Sequence, residues 1–110
     1  MKLYGLKACD TCRKAAKALE GVGRSVQFVD VRSDPLSEQD ILRFLEAFGA
    51  DKLVNTRSTT WRGLDEAERA KAPLALLSEH PALMKRPVVE TEDGALHLGW
   101  GADVKTAFGV

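Results

Sequence analysis

The segment from Lys2 to Val31 constrains the fold of this chain more than any other part. The short run Lys2–Leu6 is mostly apolar, which is typical of a buried strand. Alanine and leucine side chains then recur at helical spacing up to Gly21, and residues 26–31 alternate and are rich in β-formers. Strand, helix and strand within about thirty residues predict a βαβ unit with two parallel strands and a right-handed crossover.

Both cysteines of the chain, Cys9 and Cys12, lie at the predicted junction between the first strand and the first helix. A helix N-terminus presents unpaired N–H groups and a partial positive charge, which together favour a thiolate. We therefore predict that Cys9 is a nucleophile and that Cys12, one turn further on, can reach back to resolve the adduct. Asp10, beside the nucleophile, is expected to cap the helix.

The alternatives for a C-x-x-C pair are half of a zinc site and two cysteines that are together by chance. Zinc usually takes four ligands, and the other nitrogen candidates, His80 and His97, lie far apart without ligand spacing. We expect no metal site. Two cysteines are also too few for a disulfide-built scaffold, and a reducing cytosol favours a redox pair over a structural bridge.

Charge and hydropathy exclude several function classes. Sixteen basic and sixteen acidic side chains cancel, so no overall field favours nucleic acid or an anionic membrane as a partner. No apolar run approaches the roughly eighteen residues of a membrane span, and no leader-like apolar stretch follows the N-terminal methionine. We expect a soluble, cytoplasmic protein. With 110 residues, of which 45% are hydrophobic, the chain suits one domain with a modest core.

Residues 34–85 are predicted to form an insertion of short helices. Ser37 followed by Asp40 resembles a capping box, and an apolar stripe then runs to Gly49. The members of this stripe are Ile41, Leu42, Leu45 and Phe48. A short element is expected to end at residues 54–57, with a polar helical turn at 64–71 and another short helix at 73–79.

The C-terminal part predicts a hairpin and a last helix. Pro87–Thr91 is a strand opened by proline, Asp93-Gly94 is a hairpin turn into residues 95–98, and Ala102–Phe108 has a helical pattern. The whole order predicts an α/β, thioredoxin-like fold with a mixed four-stranded sheet. Its core would comprise about residues 1–33 and 86–110, with the helical insertion at about 34–85.

Arg86-Pro87 precedes the predicted third strand. In a thioredoxin-like fold, this loop faces the reactive cysteine and contains a cis proline, so Pro87 is a candidate cis residue. A guanidinium group there would lower the pKa of Cys9 and bind a carboxylate or an oxyanion. Taken alone, an arginine such as Arg57 or Arg86 is more often a solvated surface residue.

Four motifs make the chain resemble the ArsC-like family, in particular its YffB branch, from Leu3 to about Phe108: Cys9-x-x-Cys12-Arg13, Asn55-Thr56-Arg57, Thr60-Trp61-Arg62 and Lys85-Arg86-Pro87. The resemblance implies a thioredoxin-like core with an inserted helical subdomain, a monomer, and a nucleophile at Cys9. By position, Arg57 and Arg86 match two arginines that hold the oxyanion in the glutaredoxin-linked arsenate reductases of the family. Arg13 matches the arginine of the cysteine loop.

Departures from the family pattern separate its branches. Those arsenate reductases carry a third oxyanion arginine after the last hairpin strand, where this chain reads Leu98-Gly99-Trp100-Gly101. They also lack the second cysteine. The Spx regulators of the family have C-x-x-C and an arginine before the proline, and they bind RNA polymerase. The stretch from Asn55 to Arg62 is more similar to the YffB branch than to Spx.

The resemblance to the YffB branch implies a glutathione-dependent thiol–disulfide reductase. Glutathione would be a co-substrate, with no bound cofactor, and the second substrate would be a thiol, a disulfide or an oxyanion. Arg13, Arg57 and Arg86 would bind the glutathione carboxylates or the substrate anion. The alternatives are an arsenate reductase and a redox-sensing regulator that binds RNA polymerase.

Overall fold

Two parts of the chain form separate units in the computed structural model, which describes all residues from 1 to 110. The sheet unit comprises Met1–Val31 and Arg86–Val110, and the helical unit comprises Arg32–Lys85. The elements in chain order are β1 (Lys2–Gly5), α1 (Asp10–Gly21), β2 (Gln27–Asp30), α2 (Glu38–Phe48), α3 (Ala50–Leu53), α4 (Thr59–Arg62), α5 (Glu66–Arg69), α6 (Pro73–Glu79), a 3₁₀ turn (Pro81–Leu83), β3 (Val88–Glu90), β4 (Leu96–Leu98) and α7 (Ala102–Ala107).

The four strands form one mixed sheet in the order β2-β1-β3-β4. β1 pairs parallel to β2, with Leu3 opposite Phe28, and antiparallel to β3, with Leu3 opposite Val89. β3 and β4 form the antiparallel hairpin. The predicted mixed sheet, the βαβ unit and the C-terminal hairpin are therefore confirmed. β1 is paired on both sides, and the cysteine loop begins at its C-terminal end.

The core of the sheet unit lies between the sheet and one face of α1. Fully buried Leu3 and Val89 of the sheet pack with the inward side chains of the helix, which are Cys12, Ala15, Ala16 and Leu19. Phe108, which directly follows α7, completes this cluster and stacks on Trp100 with ring centroids 6.5 Å apart. The spacing of the helix residues by three and four positions places all four on the face that the sheet covers.

The start of α1 differs from the sequence prediction. Cys9 is the N-cap residue, with extended φ and ψ of −87° and 118°, and no side chain caps the helix. Asp10 is already helical and forms an ion pair with Arg13. The capping role predicted for Asp10 is therefore wrong, because the helix begins one residue too early for it. Its carboxylate still lies in the first turn, where negative charge is favourable.

In the helical unit, α2 begins and ends as the sequence predicts. Ser37 Oγ accepts a hydrogen bond from the Asp40 N–H at 3.1 Å, and Gly49 ends the helix with a φ of 83°. Ile41 and Phe44 are the buried residues of this helix. Leu42 is 51% exposed, so its place in the apolar stripe is wrong; the buried face runs through Phe44 instead.

The remaining helices of the helical unit are short. α6 has the predicted bounds, whereas α5 is shorter than the predicted turn and α4 was not predicted. Ser58 Oγ accepts a hydrogen bond from the Trp61 N–H at 3.1 Å and so caps α4. A β-bridge joins Val54, which follows α3, to Met84, which follows the 3₁₀ turn. The longest helix of the chain has 12 residues, and none combines the length and apolarity that a membrane span requires.

Candidate active site

The reactive-cysteine loop connects β1 to α1 through tight backbone hydrogen bonds. The Cys9 N–H donates to the Leu6 carbonyl at 3.0 Å, and the Cys9 carbonyl accepts from the Arg13 N–H at 3.1 Å. The Lys7 N–H donates to Asp30 Oδ2 at 2.9 Å, which fixes the loop to the end of β2. Cys9 is half-buried in this position, at the N-terminus of the helix.

Cys12 lies one turn further on and is completely buried. Burial is the main cause that raises the pKa of Cys12 to about 11, and the neighbouring Cys9 adds to this effect. A hydrogen bond from the Leu6 backbone and the charge of Arg86 act in the opposite direction. Cys12 is therefore a neutral thiol at physiological pH and can donate its hydrogen to a thiolate.

Cys9 has the opposite protonation preference. Burial raises its pKa, but this effect is exceeded by hydrogen bonds from the Cys12 backbone N–H, the Cys12 thiol and Arg86, so the pKa of Cys9 is lowered from 9.0. The positive charge of Arg86 contributes as well. A thiolate at Cys9 beside a protonated Cys12 is the arrangement expected of a nucleophile with a second thiol in reach.

Arg86 and Pro87 lie directly before β3. The peptide bond between them is cis, Pro87 is fully buried and Arg86 is half-buried. The Pro87 carbonyl accepts a hydrogen bond from the Gly99 N–H at 2.8 Å, which ties the proline loop to the residue after β4. Three of the residues singled out in the sequence, Cys9, Cys12 and Arg86, are thus brought together within the sheet unit.

Arg13 is exposed, and its guanidinium is engaged within the loop. It donates to the Lys7 carbonyl at 3.2 Å and pairs with Asp10. These contacts join the two sides of the cysteine loop across the first turn of α1. The structure gives Arg13 a part in holding the loop, and its predicted part in binding a substrate stays a prediction.

Arg57 belongs to the helical unit, on the exposed loop between α3 and α4. Its N–H donates to Asn55 Oδ1 at 3.1 Å, and its carbonyl accepts from Arg62 Nη2 at 2.9 Å. The loop borders a pocket of about 530 Å³, whose lining also includes Lys52 and Lys85. Lys85 belongs to the Lys85-Arg86-Pro87 motif but was not predicted as a binding residue, whereas Lys52 carries no local signal in the sequence.

The two histidines take part in other contacts. His97 packs edge-on against Phe108, with ring centroids 4.8 Å apart. His80 Nε2 lies 3.1 Å from Glu68 Oε2, and ligand-type atoms of Glu68, Glu79 and His80 lie within 4.8 Å of one another. The Lys71 ammonium pairs with both carboxylates, at 2.9 Å and 3.0 Å, so a cation of the protein already neutralises part of their charge.

Comparison with known proteins gives the same family from sequence and from structure. A family model described as the ArsC family matches residues 4–108. A solved structure of a YffB protein superimposes with a TM-score of 0.87 at 32% identity, covering 96% of both chains. This likeness confirms the thioredoxin-like fold that the sequence predicts.

Two further relatives point to different activities within the family. An arsenate reductase related protein from Brucella melitensis superimposes with a TM-score of 0.74 at 31% identity, covering 99% of this chain and 94% of that one. The global transcriptional regulator Spx of Bacillus subtilis strain 168 is 32% identical over an aligned length of 108, and the alignment covers 92% of this chain and 80% of the regulator. Enzyme-like and regulatory proteins are thus both similar to this chain.

Proposed function

This chain belongs to the ArsC family, and from that premise we propose that it is a glutathione-dependent thiol–disulfide reductase of the cytoplasm. The observation that carries the proposal is the position of Cys9 at the N-terminus of α1 with Cys12 buried one turn away, in surroundings that lower the pKa of Cys9 and raise the pKa of Cys12. A thiolate is the nucleophile in disulfide exchange, and a second thiol within reach allows the adduct to be released. No bound cofactor is needed for this chemistry.

The proposed reaction is a series of thiol–disulfide exchanges. The Cys9 thiolate attacks one sulfur of a mixed disulfide, forms a new S–S bond and releases the other sulfur as a thiolate. The adduct is then resolved in one of two ways. Either Cys12 loses its proton to solvent or to the departing thiolate and attacks the Cys9 sulfur, which releases the second group, and two glutathione molecules reduce the Cys9–Cys12 disulfide and leave as oxidised glutathione. Or a second glutathione thiolate attacks the sulfur held on Cys9, forms a disulfide with it and restores the Cys9 thiolate.

Arginines supply the anion contacts in this proposal. Arg86 already donates to the Cys9 sulfur and, when Cys9 is part of a mixed disulfide, would turn its guanidinium to a carboxylate of glutathione. Arg57, with Lys52 and Lys85 along the same pocket, would bind another carboxylate. Arg13 would contribute positive charge at the cysteine loop, and the protein would act as a monomer.

Arsenate reduction is a second candidate. It is favoured by the likeness to the arsenate reductase related protein of Brucella melitensis. In that reaction, Cys9 would form the arsenic adduct and Arg57 and Arg86 would hold the oxyanion. The stretch Leu98-Gly99-Trp100-Gly101 provides no third arginine, which counts against this candidate.

A regulator is a third candidate, from another class of function. It is favoured by the 32% identity to Spx over most of the chain. In this case, Cys9 and Cys12 would serve as a redox sensor and the partner would be RNA polymerase. A pull-down with the polymerase α subunit, using oxidised and reduced protein separately, tests this candidate directly.

The deciding experiment measures NADPH consumption in an assay coupled through glutathione and glutathione reductase. A small glutathione mixed disulfide and arsenate are offered in separate reactions, with glutaredoxin added to the arsenate reaction. Turnover with the mixed disulfide that requires Cys9 would support the reductase, and turnover with arsenate alone would replace it by the second candidate. Folded, reduced protein that turns over neither substrate would contradict both enzymatic proposals.

A further inference from the structure

Gly5, the last residue of β1, is buried against the first turn of α1. A Cβ atom at this position would lie 2.5 Å from the Cys12 sulfur and 3.1 Å from the Cys12 Cβ. The shorter distance lies far inside ordinary van der Waals contact, since non-bonded heavy atoms pack best at about 3.5–4.0 Å. The sulfur of Cys12 thus occupies the space that any side chain at residue 5 would need.

The backbone conformation at residue 5 does not require a glycine. Gly5 pairs in the parallel ladder with Asp30, and its carbonyl accepts a hydrogen bond from the Val31 N–H at 2.9 Å. The glycines with positive φ are elsewhere in the chain, at positions 23, 49, 94, 99 and 109. Space for the neighbouring sulfur is therefore the feature that distinguishes Gly5 from other strand positions.

We propose that Gly5 is a positioning residue for the resolving thiol: its missing side chain allows the Cys12 sulfur to lie between β1 and α1, in hydrogen-bond contact with Cys9. This inference rests on the proposed function, because it assigns Gly5 to the step in which Cys12 attacks the Cys9 adduct. In that step a bond forms between the two cysteine sulfurs, the bond from Cys9 to the substrate sulfur breaks, and the released group leaves as a thiolate.

The surroundings of Cys12 leave the sulfur little freedom to avoid a methyl group. Cys12 is completely buried and packs in one cluster with Leu3, Ala15 and Val89. Helical side chains use few χ1 rotamers, so a sulfur displaced from its place must rotate into this packed cluster. The alternative is that α1 moves away from β1, which also carries Cys12 away from its present place.

Either displacement acts on the disulfide step. A disulfide requires an S–S distance of about 2.05 Å and Cβ atoms about 3.8 Å apart, with a restricted dihedral angle. A Cys12 sulfur that is rotated or shifted meets these demands less often. The Cys9–Cys12 disulfide is then less stable relative to the dithiol, and the thiol no longer donates its hydrogen to the Cys9 thiolate.

The test is the Gly5→Ala variant, equilibrated in glutathione redox buffers. After thiols are trapped by alkylation, intact mass gives the fraction of Cys9–Cys12 disulfide. We expect the equilibrium constant for disulfide formation to fall about tenfold, the size of a modest overpacking effect. The ultraviolet absorbance of the thiolate should show a higher pKa for Cys9. Gly21→Ala is the matched control, because nothing lies within 4 Å of a Cβ there, and it should change neither quantity.

A second background separates positioning of the sulfur from general packing. In Cys12→Ala protein, which lacks the sulfur, Gly5→Ala should lower the melting temperature much less than it does with Cys12 present. If Gly5→Ala alone fails to fold, folding of the double variant supports the proposal, and failure of both overturns it. Equal destabilisation in the two backgrounds, or an unchanged disulfide equilibrium, also overturns it.

These readouts do not depend on any enzymatic substrate. If the proposed function is wrong, wild-type protein will not turn over the mixed disulfide. If the Gly5 inference is wrong, the disulfide equilibrium of Gly5→Ala will equal that of wild type. A wild-type protein that turns over the mixed disulfide but forms no Cys9–Cys12 disulfide in any buffer would overturn the inference alone.

Discussion

The sheet unit and the helical unit position their candidate functional residues in different ways. In the sheet unit, Cys9, Cys12 and Arg86 come from two distant parts of the sequence and meet through strand pairing and buried packing. In the helical unit, the loop that carries Arg57 is held by bonds to residues two and five positions away, Asn55 and Arg62.

This difference separates two kinds of functional requirement. A nucleophile needs its pKa adjusted, and burial and fixed donors achieve this only inside a packed structure. An exposed arginine that binds an anion keeps its charge without help and needs only a suitable loop. We therefore expect substitutions in the sheet unit to change reactivity, and substitutions in the helical unit to change stability or affinity. Four predictions test this contrast.

The largest effect is expected for Cys9→Ser. Serine cannot provide a thiolate, so turnover with a glutathione mixed disulfide should fall by at least about 10³-fold, while stability is retained. The matched variant Cys12→Ser keeps the nucleophile and should accumulate a Cys9–glutathione adduct in intact-mass spectra. Normal activity of Cys9→Ser would remove Cys9 from the mechanism, and an unchanged adduct level in Cys12→Ser would remove the resolving role of Cys12.

Phe44→Ala in α2 should destabilise the protein strongly without changing the reactivity of Cys9. Phe44 is fully buried, so its truncation should cost about 3–5 kcal/mol in the free energy of unfolding, measured by urea titration. The groups that set the pKa of Cys9 all belong to the sheet unit. The contrast would break down if the thiolate absorbance of folded Phe44→Ala protein titrated at a different pH.

Arg86→Gln should raise the pKa of Cys9, because it removes a hydrogen-bond donor and a positive charge. The thiolate is the reactive form, so the rate of alkylation falls as pH decreases through this pKa. At pH 7 the variant should react about 3- to 10-fold more slowly, and the difference should vanish in alkaline solution. The Arg86→Lys variant retains the positive charge, so its alkylation rate at pH 7 should lie between those of wild type and Arg86→Gln. A profile of Arg86→Gln that coincides with wild type would show that Arg86 does not tune Cys9.

Arg57→Ala should produce the smallest of the four effects. Loss of an exposed charged contact should raise the KM for glutathione about 3-fold and leave kcat unchanged. Arg57→Lys is the control for charge, since it keeps the cation but not the planar fork of donors. An equal fall in kcat for Arg57→Ala would indicate that Arg57 acts on the chemical step, which would contradict the contrast between the two units.

Local patterns in the sequence predicted much of the fold. The helical stripe after Cys12, the serine cap of α2 and the glycine that ends it each act over a few residues, so they can be recognised without a structure. Short elements were harder to predict from such patterns. α4 contains only four residues and buries none of them, so it leaves no periodic pattern, although its Ser58 cap was present in the sequence.

The sequence by itself determined the order of the strands and of the longer helices, the placement of Cys9 at a helix N-terminus and the presence of an arginine before the third strand. Only the tertiary structure decided that Asp10 lies inside the helix, that Cys12 is wholly buried and that Arg86 reaches the Cys9 sulfur. The close approach of Gly5 to the Cys12 sulfur also became visible only there. The reason is physical: periodicity and capping depend on neighbours along the chain, whereas burial, pKa and van der Waals space depend on residues that folding brings together.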